Sequence, residues 1–461
     1  MLKKFTVALV GCMLAAQTVF AAMPLAIVTK DGSKGCIDPE GKVVIPLAYK
    51  NILLGDKHTE DMVLVQQGKV YGLFNREGKE LLSPQLEKIA PLGENIFGGK
   101  NQGTWSFYNQ RGQKLFGEYE EVGTFVNGLA PVKKNKLWGF VDKTGKLVVD
   151  YQYKEVHNFS DGLAAVKRTN YWNYIDTTGK EIGLANIKRP GDFSEGLAVV
   201  DGSWLMDKEG QRLTKIRNYN YIGQFGENGL APVGVRYRTS SFLDYLSIGW
   251  GFGGGWGWGV DGGGWGIGGY SSSYRHHRHD DGWGGFLFLS PGLFMPKNMK
   301  RGYINQAGRE IIPTSYDYVS EFVGDYALIR SGGRWGMVDS TGAVAIAPGY
   351  DKLTPFSEGL AAFEFDNKWG YINEENKIAI TNRFDRAEAF MGGFASVVEQ
   401  GKGGVIDNKG EFVFKPLAKY KDIGPMQAGL APFKEKDKWG YVGVEGTVVV
   451  KPEYDKAEIF R

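Results

Sequence analysis

Cysteine is almost missing from this chain: two residues in 461, Cys12 and Cys36. That excludes a disulfide scaffold. An excess of one charge is missing as well. Fifty-five Lys and Arg against 52 Asp and Glu leave a formal net charge of +3, which gives no case for a nucleic acid partner. Catalytic signatures are absent: the sequence has no HExxH, no GxSxG and no phosphate-binding loop. GxGxxG-like spacings arise only from glycine abundance, and no helix follows them. His58 and His157 fall near no Ser or Cys that suggests a triad. No cofactor is expected.

What the chain does have is glycine, 67 residues, and aromatics, 13% of the sequence. Gly costs about 1 kcal/mol at a helical position, so the composition argues against a mainly helical fold.

Residues 1–21 read as a targeting segment. Met1-Leu2-Lys3-Lys4 is basic, an apolar run follows through Phe20, and Ala21 fits the −1 position of a cleavage site. The run is short for a membrane span. Leu9-Val10-Gly11-Cys12 also fits lipoprotein processing at Cys12, but the apolar run continues past it, which favours cleavage after Ala21. The expected product is periplasmic, secreted or at the cell surface. Its one cysteine would be Cys36, in an apolar strand position and read as a buried thiol.

Self-similarity organises the rest. Gly128 to Phe159 reads GLAPVKKNKLWGFVDKTGKLVVDYQYKEVHNF, and Gly429 to Phe460 reads GLAPFKEKDKWGYVGVEGTVVVKPEYDKAEIF. The interval from Trp138 to Trp172 equals that from Trp335 to Trp369. Trp369 and Trp439 lie about two such intervals apart, with Gly403-Gly404 in the copy between. Looser copies place Cys36, Tyr71, Trp105, Trp204 and Arg301 at or beside the same slot, giving about eleven units.

Each unit predicts three short antiparallel strands. Leu129-Ala130-Pro131-Val132 is the first and Trp138-Gly139-Phe140-Val141 the second, with Trp138 and Phe140 on one face and Val141 on the other. Gly139 predicts a bulge or a close backbone approach. Asp142-Lys143-Thr144-Gly145 is a tight turn capped by the Asp side chain. The same reading covers Asp176, Asp339 and Asp407, and it displaces a catalytic or Ca²⁺-binding role. Lys146 to Val149 is the third strand. The repeated pairs Trp138-Gly139, Trp335-Gly336, Trp369-Gly370 and Trp439-Gly440, with Trp172, are read as packing rather than as a ligand-stacking ladder.

This pattern resembles the WG (KWG) repeat family of bacterial tandem-repeat proteins. The resemblance implies an interaction module, not an enzyme. The fold expected is all-β, a tandem array of about eleven units, each of roughly 34 residues. An open superhelical, solenoid-like array and a propeller-like ring both remain open. Unit length favours the open array, because such a unit is short for a four-stranded blade of about 40–45 residues. Eleven units also exceed the four to eight blades typical of a propeller.

The organisation predicted is a signal segment at 1–21, a first array at 22–233, an insertion at 234–300 and a second array at 301–461. The insertion expands one hairpin tip. Residues 249–286 hold 16 Gly and five Trp: Trp250, Trp256, Trp258, Trp265 and Trp283. These are candidates for contact with a protein, a polysaccharide or a membrane interface. His276, His277 and His279, with Asp280 and Asp281, are candidate metal ligands. The function expected is a non-enzymatic exported binding or scaffold protein of the cell envelope, whose partner is a protein or an envelope polysaccharide. The alternatives are a polysaccharide-acting enzyme and metal capture by the histidine tract.

Overall fold

A computed structural model describes residues 23–55, 61–236, 299–420 and 422–461 of the chain, without the side chains of 183–185. These residues form eleven antiparallel sheets, ten of four strands and one of three. Among the described residues the one helical element is a 3-10 turn, Ala418–Tyr420.

Blade 4 shows the plan. Its strands are Glu121–Val122, Leu129–Lys134, Leu137–Asp142 and Leu147–Tyr153, paired in chain order. The second strand is an unbroken apolar run because it is covered on both faces. Leu129 packs toward blade 5, while Ala130 and Val132 pack toward blade 3. In the third strand Phe140 and Trp138 face blade 5 and Val141 faces blade 3, the alternation read from the sequence. Gly139 does both things expected of it. It lies opposite a register shift in the fourth strand, and a Cβ there would sit 2.5 Å from the Val149 carbonyl oxygen.

The sequence shows three strands per unit; the structure adds a fourth. Glu121–Val122 has two residues and follows Tyr119, the last residue of the preceding sheet, after a single residue. The ten four-stranded sheets each take their first strand from the segment just past the last strand of the previous blade. Two residues carry no periodicity, which is why sequence reading passes over them.

Blades 2 to 5 span 51–86, 88–119, 121–153 and 155–187. Blade 6 (197–215) has three strands. Blade 7 runs from 221 to 316, and blades 8 to 11 span 318–350, 352–384, 386–417 and 422–454. Blade 1 is built from both ends of the described chain. Lys456–Ala457 pairs antiparallel with Ala26–Lys30, followed by Ser33–Ile37 and Val43–Tyr49.

That pairing closes a ring, so the geometry is an eleven-bladed propeller. An open array of eleven sheets would have ten interfaces and two bare terminal faces. Here an apolar core fills every gap between consecutive blades. Ala26, Val28 and Ile37 of blade 1 pack against Tyr441, Tyr454 and Phe460 at the end of the chain. The leaning toward an open array fails because so short a first strand lets a four-stranded blade fit within the repeat period.

A four-stranded meander places its connections alternately on the two faces of the ring. The first-to-second loops and third-to-fourth turns lie on one face. The second-to-third hairpin tips and the corners between blades lie on the other, here called the tip face. Blade 7 roots the insertion on the tip face: Gly234 pairs with Arg301, Val235 with Lys300 and Arg236 with Met299. Strand pairing thus continues three residues past Val233 and starts again at Met299, and residues 237–298 lie outside those described.

Candidate functional site

The Trp slot lies at the tip end of the third strand, in one rung of residues that crosses all four strands. In blade 4 the rung is Glu121, Lys133, Trp138 and Tyr153. Lys133 Nζ lies 2.6 Å from Glu121 Oε1 and 5.6 Å from the centre of the Trp138 ring. Blade 5 repeats it with Glu155, Lys167 and Trp172. In blade 8 Arg330 stands 5.6 Å from the Trp335 ring. In blade 9 the charges exchange strands: Lys352 pairs with Glu364 and lies 5.5 Å from Trp369.

This arrangement separates the packing reading of the tryptophans from the ligand ladder. Trp138, Trp335, Trp369 and Trp439 are half-buried against an inter-blade core, and Trp172 is buried. Over the rings of Trp138, Trp172, Trp335 and Trp369 stands a cation of the protein itself, an arrangement worth about 0.5–1 kcal/mol at an exposed site. Those rings are already engaged by the protein's own core and cations.

The turn aspartates cap as expected. Asp339 Oδ1 accepts hydrogen bonds from Thr341 N (2.9 Å), Thr341 Oγ1 (2.7 Å) and Ala343 N (2.9 Å). Asp142 and Asp176 do the same in their turns, and Asp407 accepts from the main-chain N–H groups of Lys409 and Glu411. The Thr341 hydroxyl, with the main-chain N–H groups, holds the Asp339 carboxyl below its ordinary range. Asp339→Ala is expected to cost about 1 kcal/mol, the usual value of a side-chain cap. Asp339→Asn should cost less, since Asn305 caps the same turn in blade 7 through Oδ1. Urea midpoints of the two variants check this, and equal losses would remove the cap as the cause.

Sequence reading missed the role of the aspartates that follow the closing aromatic of a unit, in Tyr316-Asp317, Phe384-Asp385 and Tyr454-Asp455. They stitch blades together on the tip face. Asp455 Oδ1 lies 2.5 Å from Lys438 Nζ of blade 11, and its Oδ2 accepts the Asp31 N–H of blade 1 at 2.7 Å. Asp385 joins Lys368 of blade 9 to Gly401 N of blade 10, and Asp317 joins Lys300 of blade 7 to Gly332 N of blade 8. The lysine hydrogen bond is the largest cause holding each of these three carboxyls below the ordinary range. A signal was present: the basic residue precedes each aspartate by 17 positions.

Two isolated polar groups also proved structural. Cys36 is fully buried, and burial pushes its thiol up to about 12, as an inert core cysteine requires. His157, 6% exposed, has Nδ1 2.7 Å from Asp192 Oδ1 and its ring against Trp172. Nothing in the sequence around that histidine marked Asp192 as its partner.

On the opposite face a cleft of about 490 Å³ opens between blades 5 and 6. Its polar groups are largely engaged with one another. Asp161 binds Lys208 at 2.5 Å and accepts the Gly196 N–H, while the Ser160 and Ser194 hydroxyls donate to the main-chain oxygens of Phe193 and Phe225. Among the described residues no three His, Cys, Asp or Glu side chains are grouped to hold a metal ion. The other sequence candidates, Trp250, Trp256, Trp258, Trp265 and Trp283 and the tract His276, His277, His279, Asp280 and Asp281, lie outside the described residues, as does His58.

Comparison with solved structures finds the chain similar to a crystal structure of the eukaryotic initiation factor. The identity is 9% and the TM-score 0.42, over 94% of this chain and 98% of that one. It is also similar to Hsv2 of Kluyveromyces lactis, at 11% identity and a TM-score of 0.27, over 48% of this chain and 92% of that one. At these values neither likeness assigns a function. No curated protein matches the chain. A family model described as WG containing repeat matches residues 35–70, 71–103, 105–138, 138–172, 302–335, 335–369, 369–402, 404–439 and 439–461. The matched stretches make up more than half of the sequence and keep the period of the Trp-Gly pairs, and the chain belongs to the WG containing repeat family.

Proposed function

We propose that this chain is an exported, non-enzymatic binding or scaffold protein of the cell envelope, with the tip face as its contact surface. The partner is a protein or an envelope polysaccharide. One observation carries the reading. The hairpin tips gather on one face of a closed ring, and residues 237–298 are rooted in the tip of blade 7. Repeat proteins commonly place such insertions on the binding face. Export is supported by the basic and apolar pattern of residues 1–21. The absence of a catalytic signature in the sequence supports binding over turnover.

Deleting residues 240–295 is expected to leave the ring folded and to abolish capture of a partner from envelope extracts. Circular dichroism checks the fold and affinity capture checks the contact. Undiminished capture by the deleted protein would remove the insertion from the contact surface.

A further inference from the structure

Blade 10 departs from the common rung. It carries Gly403 in the Trp slot, and its first strand, Arg386–Ala387, is followed directly by Glu388. Glu388 is 8% exposed and Ser396 1% exposed. Glu388 Oε1 and Ser396 Oγ are both buried without a hydrogen-bond partner. The two residues oppose each other across neighbouring strands, since the Glu388 N–H donates to the Ser396 main-chain oxygen at 3.0 Å. Opposed residues point to the same side of a sheet, with Cβ atoms about 5 Å apart.

That side faces blade 11. Ala395 and Val397 pack toward blade 9, whereas Val398, two residues beyond Ser396, belongs to the core between blades 10 and 11. Blade 11 presents Ile423, Met426, Ala431 and Phe433, all apolar. Few charged or titratable groups are near. Arg386 Nε stands 3.6 Å from Glu388 Oε1, and its Nη2 donates to the Ile423 main-chain oxygen in blade 11. The Tyr420 hydroxyl is turned away to Gly446 O. From blade 9 the Tyr371 hydroxyl donates to the main-chain oxygen of Glu388, not to its carboxyl.

Sister blades show how unusual this is. The same position holds Thr354 in blade 9 and Ser320 in blade 8. Their hydroxyl oxygens accept the opposing N–H groups of Ala362 and Leu328, at 2.9 and 2.8 Å. Blade 11 has Gly424, with no side chain to satisfy. Blade 10 alone among these places a carboxyl there.

We propose that Glu388 and Ser396 form a proton-operated latch in the seam between blades 10 and 11. With the proton on, the neutral carboxyl is tolerated in this apolar seam, opposite an equally unpartnered Ser396 Oγ. With the proton off, charge is left at a buried Oε1 with one imperfectly placed arginine beside it, and the seam opens locally to hydrate it. The latch operates whether or not the tip face binds a partner.

Burial, opposed by Arg386, lifts the Glu388 carboxyl to about 7 from an ordinary value of 4.5. The folded seam therefore holds a proton that the open chain has already released between those two values. Its stability falls as pH rises from about 4.5 through about 7 and is flat beyond. A shift of that size corresponds to up to about 300-fold in the closed-to-open ratio.

The test is amide hydrogen exchange on the full chain at pH 5 and pH 8, comparing wild type with Glu388→Gln. The expected result at pH 8 is protection of 386–398 and 422–433 up to about 300-fold greater in Glu388→Gln. At pH 5 the difference should shrink to a few-fold. Equal protection at pH 8 would overturn the latch. Should Glu388→Gln fail to fold, the wild type alone decides. After correction for intrinsic exchange, the blade 10–11 seam must lose protection between pH 5 and 8 while the blade 8–9 seam around Thr354 does not. A parallel loss in both seams, or in neither, overturns the proposal.

Discussion

Gly440→Ala is expected to destabilise the ring by about 3 kcal/mol, at the upper end of what overpacking costs. A Cβ at Gly440 would sit 2.4 Å from the Val450 carbonyl oxygen and 2.8 Å from the Pro452 nitrogen, both main-chain atoms of the bulged fourth strand. Backbone cannot turn aside as a flexible side chain can. Gly336 and Gly370 face the same obstacle, at 2.3 and 2.6 Å from the oxygens of Ile346 and Ile380. The Trp-Gly glycine is therefore fixed by the approach of a neighbouring strand rather than by its own dihedral angles. Gly359 provides the contrast. Its φ is +79° and nothing lies within 4 Å of a Cβ there. Gly359→Ala should cost only the left-handed backbone penalty, about 1–2 kcal/mol. Urea denaturation of both variants tests the distinction. Equal losses would mean that the close approach is not what selects glycine.

Removing residues 455–461 should open the ring and cost several kcal/mol. Phe460 is fully buried against blade 1, and losing a buried Phe side chain alone costs about 3–5 kcal/mol. The ladder pairing of Val28 with Ala457 and Thr29 with Lys456 goes with it, as do the main-chain hydrogen bonds Asp455 N to Thr29 O, Glu458 N to Ile27 O, Leu25 N to Arg461 O and Arg461 N to Leu25 O. Each contributes about 1 kcal/mol net. The Asp455 stitch is lost as well. The truncated chain would bare the apolar faces of blades 1 and 11 together with an unpaired strand edge, so self-association is expected. Denaturation midpoints and size-exclusion elution at two concentrations check this. An unchanged midpoint with a monomeric profile would show that closure contributes little.

How much of this was legible in sequence depended on range. Features decided within one unit were visible: the facing of Trp138 and Phe140, the Asp142 cap and the close approach at Gly139. Features shared between units were not. The Glu121–Val122 strand belongs by sequence to one unit and by pairing to the next. The Lys438–Asp455 link crosses to blade 1 through Asp31, so its partner lies at the other end of the chain. The cation beside Trp138, Trp172 and Trp335 had a local signal, since Lys133, Lys167 and Arg330 each precede their tryptophan by five residues. That spacing is set by hairpin length and shows its meaning only once the register is known. Ring closure left no local trace, because the pairing of Ala26–Lys30 with Lys456–Ala457 has no counterpart in either segment alone. Glu388 was also invisible, since nothing in its neighbourhood marks it as buried.

The antiparallel join in blade 1 has a mechanical meaning. Leu25 and Arg461 are paired at the edge where both chain ends leave the sheet. Tension that draws the two ends apart would load these hydrogen bonds one after another, like a zipper, rather than all at once in shear. Such a seam is weak under load however stable it is at rest. Arg76 of the adjacent blade sits at that edge, with Nη1 donating to Met23 O at 3.0 Å and to Arg461 O at 2.6 Å. It grips both strands at the first tooth, so one guanidinium from blade 2 adds its hold to the Leu25–Arg461 pair where unzipping would begin.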